Sequence, residues 1–504
     1  MSNPTPRKKR GTQRTKRSVA LDEKSLLIAL MRDAYGHLEN QAVLLGDTNF
    51  IANLESNLFL ELIYDEFPAF LKRFTNALDT GYFCWYESVI YTDIGVLFSE
   101  LLLDVFDWLG NILPDPDVDS IRSLRQIASL FYKTRSDDLS QISLSAAVDN
   151  FIAVDSVVKQ RFSIEDMGYV FCAQQLAERL LEGWSPTNAT VHNGPGAAVN
   201  LSRRTKGGVL GSCPHDGRYK PNTVYRKIHK WYNYVSTFYT SLSAYRDDLS
   251  RLRNVPHIDS GVGQFGLVPK TVRKSRGIVV LPSEYTFVQQ SVKDSIIESL
   301  YRNELKTPAP WDHSILIGHF NFNDQSINGQ LAMWASVWRE YATLDMKDAS
   351  DLIGRCHVSI LPQAEMLEDI QVQHVNLTLP KSNKPKENAA DDYKLVNLYK
   401  CNKYAPMGSA LCFPIMSLLH YVFACAVLVL DHGFTLKKAQ HSVFIFGDDL
   451  IVPSIAFDSV SSVFKQLGLI INTDKSYARG HFRESCGVDA YNGVNITPVR
   501  MKHN

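Results

Sequence analysis

The sequence predicts an α+β fold, on three observations. Helical periodicity fills the first third of the chain. Strand-like runs appear after about residue 260, and a tight hairpin with apolar arms lies near the end. The chain has 504 residues, enough for two to four domains or one multi-lobed body. At 45% hydrophobic and 21% charged it has the composition of an ordinary globular protein. Basic and acidic residues balance at 53 each, so affinity for nucleic acid has to come from local patches, not from bulk charge. The eight cysteines form no C-x-x-C pair and no zinc-finger spacing with histidine, and they read as reduced thiols of a cytosolic protein.

Residues 1–20 hold Arg7, Lys8, Lys9, Arg10, Arg14, Lys16 and Arg17 and lack the apolar core of a signal peptide. A disordered solubilising tail, a phosphate-binding arm and a nuclear address all fit this stretch. From Leu21 to about Trp184 the pattern is helical. "SLLIALMRDAYGHLEN" and "VLFSELLLDVFDWLG" carry apolar residues at i, i+3, i+4 and i+7, and "LPDPDVDS" (Leu113–Ser120) breaks the pattern as a loop. "HNGPGAAVN" (His192–Asn200) and the run Arg203–Asn222 are Gly- and Pro-rich and irregular. "FGLVPK" and "RGIVVLP" then read as strands, and "LPKSNKPKENAADD" (Leu379–Asp392) as a polar loop. "FPIMSLLHYVFACAVLVL" (Phe413–Leu430) falls just short of the roughly 20 apolar residues that a membrane span needs. With Pro414, Ser417 and His420 inside it, it reads as a buried core helix.

The chemistry concentrates in carboxylates. In "YATLDMKDASD" (Tyr341–Asp351), Asp345 ends a short β-capable run, so its side chain is expected at a sheet edge facing a cleft. In "SVFIFGDDLIVPS", Asp448 and Asp449 lie at the turn between two β-rich arms, with Gly447 supplying backbone freedom. If the two strands are neighbours, Asp345 and Asp448 face each other across the sheet. Carboxylates gathered at one point repel unless a cation neutralises them. Oxygen donors without His or Cys select a hard ion, Mg²⁺ or Mn²⁺. Two such ions about 4 Å apart can clamp an in-line phosphoryl displacement. The bland alternative is a solvated Asp-rich turn.

The order of these motifs resembles viral RNA-directed RNA polymerases, and more closely the replicase catalytic (beta) subunit of the levivirus-like single-stranded RNA bacteriophages. The matching pieces run over roughly residues 190 to 500. They are "GPGA" (Gly194–Ala197), "VPK" with Arg276, Pro282 and Gln289, "NDQSIN", "LDMKDASD", "MGS", "FGDD", "DKSYARGHFRESCG" and "GVNITP". The resemblance implies a right-hand polymerase fold with fingers, a palm built on antiparallel sheet, and little or no thumb. It implies a helical N-terminal region over 21–150, fingers over 151–334 and palm over 335–354 and 405–480. It also implies a fingers insertion over 355–404, with 481–504 as the palm end or the start of a thumb. Only 55 residues follow Asp449, and family members continue further into a thumb, so the chain is expected to be truncated.

Carried over position by position, Asp345 and Asp448 become metal ligands with Asp449 assisting, for two Mg²⁺ ions or Mn²⁺. Lys475 becomes the general acid for pyrophosphate departure. Asp351 reads the ribose 2′-OH. Lys270 and Arg276 meet the triphosphate, and Arg273 and Lys274 contact RNA. Met407, Gly408 and Ser409 line the template and the incoming nucleotide. Departures from the family pattern are Lys347, Asp348, Ser409, Cys412 and Phe446, the last standing where Tyr is common. The implied reaction is template-directed RNA synthesis from NTPs in the cytoplasm of a bacterial host. Implied partners are host elongation factors Tu and Ts and a ribosomal protein. A reverse transcriptase and a non-catalytic viral RNA-binding protein stay as alternatives; Asp351 argues against the former.

Overall fold

The computed structural model describes residues 23–36, 41–92, 95–133, 142–185, 223–231, 242–269, 275–378 and 398–501. The basic tail, "GPGA", the polar loop at 379–392, Lys270, Arg273 and Lys274 lie outside the described residues. Within them the α+β expectation holds, and helices and strands are both abundant.

The N-terminal region is helical: Glu23–Ala34, Gln41–Asn53, and Ser56–Glu61 continuing through a π turn into Phe67–Thr80, then Val118–Ser129. Phe67–Thr80 ends at Gly81, whose φ of 80° closes the helix as Gly81 N–H donates to Ala77 C=O. Two local expectations need correction. "LPDPDVDS" is loop only as far as Asp117. That carboxylate caps the next helix, accepting from Ser120 N–H at 2.8 Å. "VLFSELLLDVFDWLG" is helical only over Ser99–Leu103. The Asp107 carboxylate accepts from the N–H groups of Leu109 and Asn111 at 2.9 and 2.8 Å, and this local turn competes with the next helical turn.

The central sheet runs in the order Phe444–Phe446, Asp449–Pro453, Tyr341–Lys347, Ile470–Ile471, with every neighbouring pair antiparallel. Ala342, Thr343 and Leu344 are buried in succession, because the middle strand is covered on both faces. Helix Cys412–Leu430 packs against this sheet and against helix Met167–Leu180. It is long and apolar enough to cross a membrane, yet 83% of its apolar window is buried inside the protein. A helix apolar on every side belongs in a core. A second sheet pairs Val262–Pro269 with Ser275–Val280, the two strands expected there, and extends through His374–Asn376 to Leu398–Lys400.

The chain's last described strands, Phe482–Ser485, Val488–Tyr491 and Val494–Asn495, form a third sheet packed on helix Ser326–Trp338. Phe482, Tyr491 and Ile496 share one apolar core with the N-terminal helices, so the two chain ends are joined through a common interior. Buried ion pairs fasten the same junction. Arg125 meets Asp489 at 2.5 Å and Thr75 Oγ1 at 2.6 Å. Asp79 accepts from the N–H groups of Arg479 and Gly480, both at 2.9 Å. Arg125→Met would leave Asp489 buried beside one partially exposed partner, Arg500. The expected loss is about 3–5 kcal/mol, read as a lowered urea midpoint.

Candidate active site

Asp345 forms the last pair between its strand and the hairpin, opposite Asp449, and the strand runs on to Lys347, two residues past the end expected for it. Directly opposed residues project from the same face of a sheet, so the two carboxylates share a face. The expectation that Asp448 faces Asp345 across the sheet is therefore corrected by one residue. Phe446 pairs with Asp449, which leaves Gly447 and Asp448 as a two-residue turn with Asp448 exposed at its tip. Gly447 has φ 66° while Asp448 does not enter the left-handed region, the pattern of a type II′ turn. A Cβ at Gly447 would also sit 2.4 Å from the Phe413 ring, so glycine is required there on both counts. Phe413 in turn packs edge-on against Phe446 at 5.3 Å. The aromatic ring at 446 is used for packing under the turn.

The segment 472–476 wraps Asp345. Asn472 Nδ2 donates to Asp345 Oδ2 at 2.7 Å, and Asn472 N–H donates to the Asp345 carbonyl at 2.8 Å. Asp345 N–H donates to Ser476 Oγ at 3.1 Å, and Lys475 Nζ stands 3.9 Å from Asp345 Oδ2. Asn472 and Ser476 were not singled out in the sequence; both flank Lys475 in "NTDKS", the only hint it offers. "FRESCG" carries further partners. Its hairpin turn is Cys486-Gly487, with φ of 53° and 77°, as a type I′ turn requires. The Cys486 N–H is aimed at the Asp449 carboxylate. Arg483 is fully buried and donates to the carbonyls of Tyr341, Gly480, Phe482 and Ala478, locking this hairpin to the central strand.

Electrostatics follow from this crowding. Burial, then the Asp448 and Asp345 charges, push the Asp449 carboxyl up to about 7. Glu484 is raised as well, by burial and by Asp489, with Lys475 pulling the other way. For Lys475, burial lowers the ammonium's pKa, but Glu484 and Asp345 more than offset it, and the net shift is upward. The lysine is thus held protonated beside the carboxylates.

The remaining expected residues divide. Asp351 is partly exposed and bonded to Lys403 Nζ at 2.7 Å. Arg276 is exposed on strand Ser275–Val280, opposite Val268. Gly408 adopts φ 119° and lies so close to Val279 that a Cβ would fall 2.1 Å from its carbonyl oxygen. Met407 C=O accepts from Val279 N–H at 2.7 Å. Ser409 is buried: its Oγ donates to Gln289 Oε1 at 3.1 Å and accepts from Gln371 Nε2 at 3.0 Å. Its hydroxyl serves the loop's own interior, which revises the expectation that it faces a nucleotide. Asp348 is exposed with φ 49° and its carbonyl accepts from Asp351 N–H.

The donor set at the strand end is oxygen-only, which suits a hard divalent ion. Among the described residues, however, no group of three or more His, Cys, Asp or Glu side chains converges as placed to hold a metal. Asp345 Oδ2 is instead taken up by Asn472 and Lys475.

The raised Asp449 carboxyl gives a pH dependence. Between the unfolded value near 4 and the folded value of about 7, the folded protein binds more protons than the unfolded chain. Stability without divalent ions should therefore fall as pH rises through that window, by roughly 2–4 kcal/mol from this group. Urea midpoints measured between about pH 4.5 and about pH 7.5 should slope less steeply in Asp449→Asn than in the parent.

Residues 232–504 match the family described as RNA replicase, beta-chain. The chain is 30% identical over 239 residues to the RNA-directed RNA polymerase subunit beta of Escherichia virus Qbeta, covering 47% of this chain and 34% of that protein. It is 24% identical over 274 residues to the RNA-directed RNA polymerase beta chain of Enterobacteria phage GA, covering 54% and 42%. With the beta chain of Escherichia phage MS2 the identity is 28% over 185 residues, covering 36% and 30%. The matched segments thus span between 30% and 42% of these relatives' lengths. The family match takes in the strand-end Asp345, the hairpin carboxylates and the segment around Lys475 together, and this chain belongs to the RNA replicase beta-chain family.

Proposed function

We propose that this chain carries out template-directed RNA synthesis, joining ribonucleoside monophosphates from NTPs to a growing 3′-end and releasing pyrophosphate. The observation that carries the reading is the register of Asp345 opposite Asp449, with Asp448 exposed at the adjoining turn and Lys475 beside Asp345. In this reading Asp345 and Asp448 are the ligands for Mg²⁺ or Mn²⁺, and Asp449 supports them from the side. A bound ion pair would activate the attacking 3′-oxygen and stabilise the leaving oxygen of pyrophosphate. Asp345 Oδ2, held here by Asn472 at 2.7 Å with Lys475 at 3.9 Å, would be an oxygen that this chain offers to the ion.

The chain's own groups do the rest. Lys475, kept protonated by Glu484 and Asp345, holds a proton for the departing pyrophosphate. Arg276, exposed on its strand, offers a guanidinium to the triphosphate. Gly408 brings the "MGS" backbone against the Ser275–Val280 strand, fixing the loop expected near template and base. Asp351 presents a carboxylate acceptor to the ribose 2′-OH. The substrates of this reading are an RNA template and NTPs, as in the replication of a phage genome.

The test is Mg²⁺-dependent incorporation of labelled NTPs on an RNA template. Asp448→Asn should lower incorporation by about 10³-fold or more while RNA binding is largely kept. An unchanged rate in that variant would overturn the role of Asp448, and RNA binding without any incorporation by the parent chain would leave a non-catalytic RNA-binding role as the better reading. Lys475→Met should lower kcat by about 10²–10⁴-fold with a smaller effect on KM, measured in the same assay.

A further inference from the structure

Lys403, the partner of Asp351, is a fully buried lysine. Its Nζ lies 2.7 Å from Asp351 Oδ1, 3.9 Å from Asp155 Oδ1 and 3.9 Å from the centre of the Phe151 ring. Burying an ammonium this completely is costly unless its partners are fixed. They are. Asp155 ends helix Ile142–Ser156 and is itself fully buried. Its carboxylate accepts from Lys403 N–H at 2.9 Å, Asn402 N–H at 2.8 Å and Tyr399 OH at 2.9 Å. The lysine's own backbone is therefore clamped by the same carboxylate that faces its side chain.

The other end of the array is different. Asp351 retains some exposure, and Lys403 engages only its Oδ1. The loop that carries Asp351 is held against the Lys403 segment by backbone contacts. Tyr404 N–H donates to Ile353 C=O at 2.7 Å, and Gly354 and Lys403 form an antiparallel bridge. Asp351 also lies just beyond the Asp345 end of the central strand Tyr341–Lys347, in the turn where its N–H donates to Asp348 C=O at 2.9 Å. An array with one rigid carboxylate, one buried ammonium and one half-open carboxylate is built to orient the last of these. The ammonium also offsets the buried Asp155 charge at 3.9 Å, but its short contact, 2.7 Å, is to the half-open Asp351.

We propose that Lys403 is a positioning residue for sugar selection: anchored by Asp155, it takes Asp351 Oδ1 and thereby presents Asp351 Oδ2 to the ribose 2′-OH. This rests on the reading of Asp351 given above. Without the ammonium, the Asp351 carboxylate would swing and its two oxygens would become equivalent, so the acceptor would no longer be fixed. A hydroxyl-reading site that loses its fixed acceptor loses discrimination before it loses general nucleotide binding.

The test compares affinities of the full chain for ATP and dATP, in Mg²⁺ on a hairpin RNA with template uracil, by equilibrium titration. Asp351→Asn should reduce the ATP-over-dATP preference by about tenfold or more. Lys403→Met should do the same. The Asp155→Asn/Lys403→Met pair keeps the net charge of the array unchanged and guards against a folding failure of the single variant; it should show the same reduction. Adding Asp351→Asn to that pair should reduce the preference no further, as expected of groups acting through one another. A merely structural lysine would weaken ATP and dATP binding alike and leave their ratio intact. If Asp351→Asn lowers the preference but loss of Lys403 does not, or if the two effects multiply, the positioning role is overturned and the role of Asp351 stands. If Asp351→Asn leaves the preference unchanged, the ribose reading falls, and the role of Lys403 falls with it.

Discussion

The structure depends on one antiparallel pairing that sets two carboxylates opposite each other, Asp345 on the middle strand and Asp449 on the hairpin. A charged Asp449 is disfavoured there, first by burial and then by the Asp448 and Asp345 charges, as its upward shift shows. What surrounds the pairing is arranged to hold it. Asn472 and Lys475 attend Asp345, the Cys486 N–H is aimed at Asp449, and the turn tip lifts Asp448 into solvent. Beneath them lies a dry interior of Ile445, Leu450 and helix Cys412–Leu430, which fixes the strands so that the carboxylates have no freedom to separate.

The same constraint explains why the two ends of the chain share a core. The segment that attends Asp345 and Asp449, residues 472–487, is irregular as far as His481, with backbone bonds to the central strand only at Asp345 and Thr343 among those from 472–481. It is steadied by Arg483, which binds four carbonyls, and by Asp79 from an N-terminal helix, which accepts from the Arg479 and Gly480 amides. Gly480 approaches so closely that a Cβ would stand 2.3 Å from the Leu78 carbonyl oxygen. The N-terminal helices thus act on the site from a distance, through the rigidity of this loop. A second buried array, Asp155–Lys403–Asp351, likewise holds a buried cation among carboxylates.

Much of this was legible in the sequence, for identifiable reasons. A two-residue turn between β-rich arms, with glycine at its first position, has few conformations open to it, so "FIFGDDLIVP" reads as a hairpin without further help. "FGLVPK" and "RGIVVLP" read as strands, and an apolar stretch with Pro414 in its first turn reads as a core helix. The pattern misled where a local hydrogen bond outcompeted periodicity: Asp107 stops the helix expected through "VLFSELLLDVFDWLG". Ser409 misled for another reason. A hydroxyl in a functional loop can point outward or inward, and only its neighbours Gln289 and Gln371 turn it inward.

The sequence by itself determined the elements and their chemistry: the strand-end Asp345, the tight turn bearing Asp448 and Asp449, the buried helix after it, and the basic residue in "NTDKS". The first three follow from periodicity or turn stereochemistry, which act within a few residues, whereas Lys475 is marked only by the family resemblance. The tertiary structure alone decided the register that opposes Asp345 to Asp449 instead of Asp448. It alone brought Cys486 to Asp449, Asp79 to the 478–480 amides and Lys403 to both Asp155 and Asp351. Asp79 lies about 400 positions from its partners, and no short-range rule couples residues so far apart. Such contacts are fixed by how whole elements pack, because burying a charge is tolerable only where the packed fold supplies its partner.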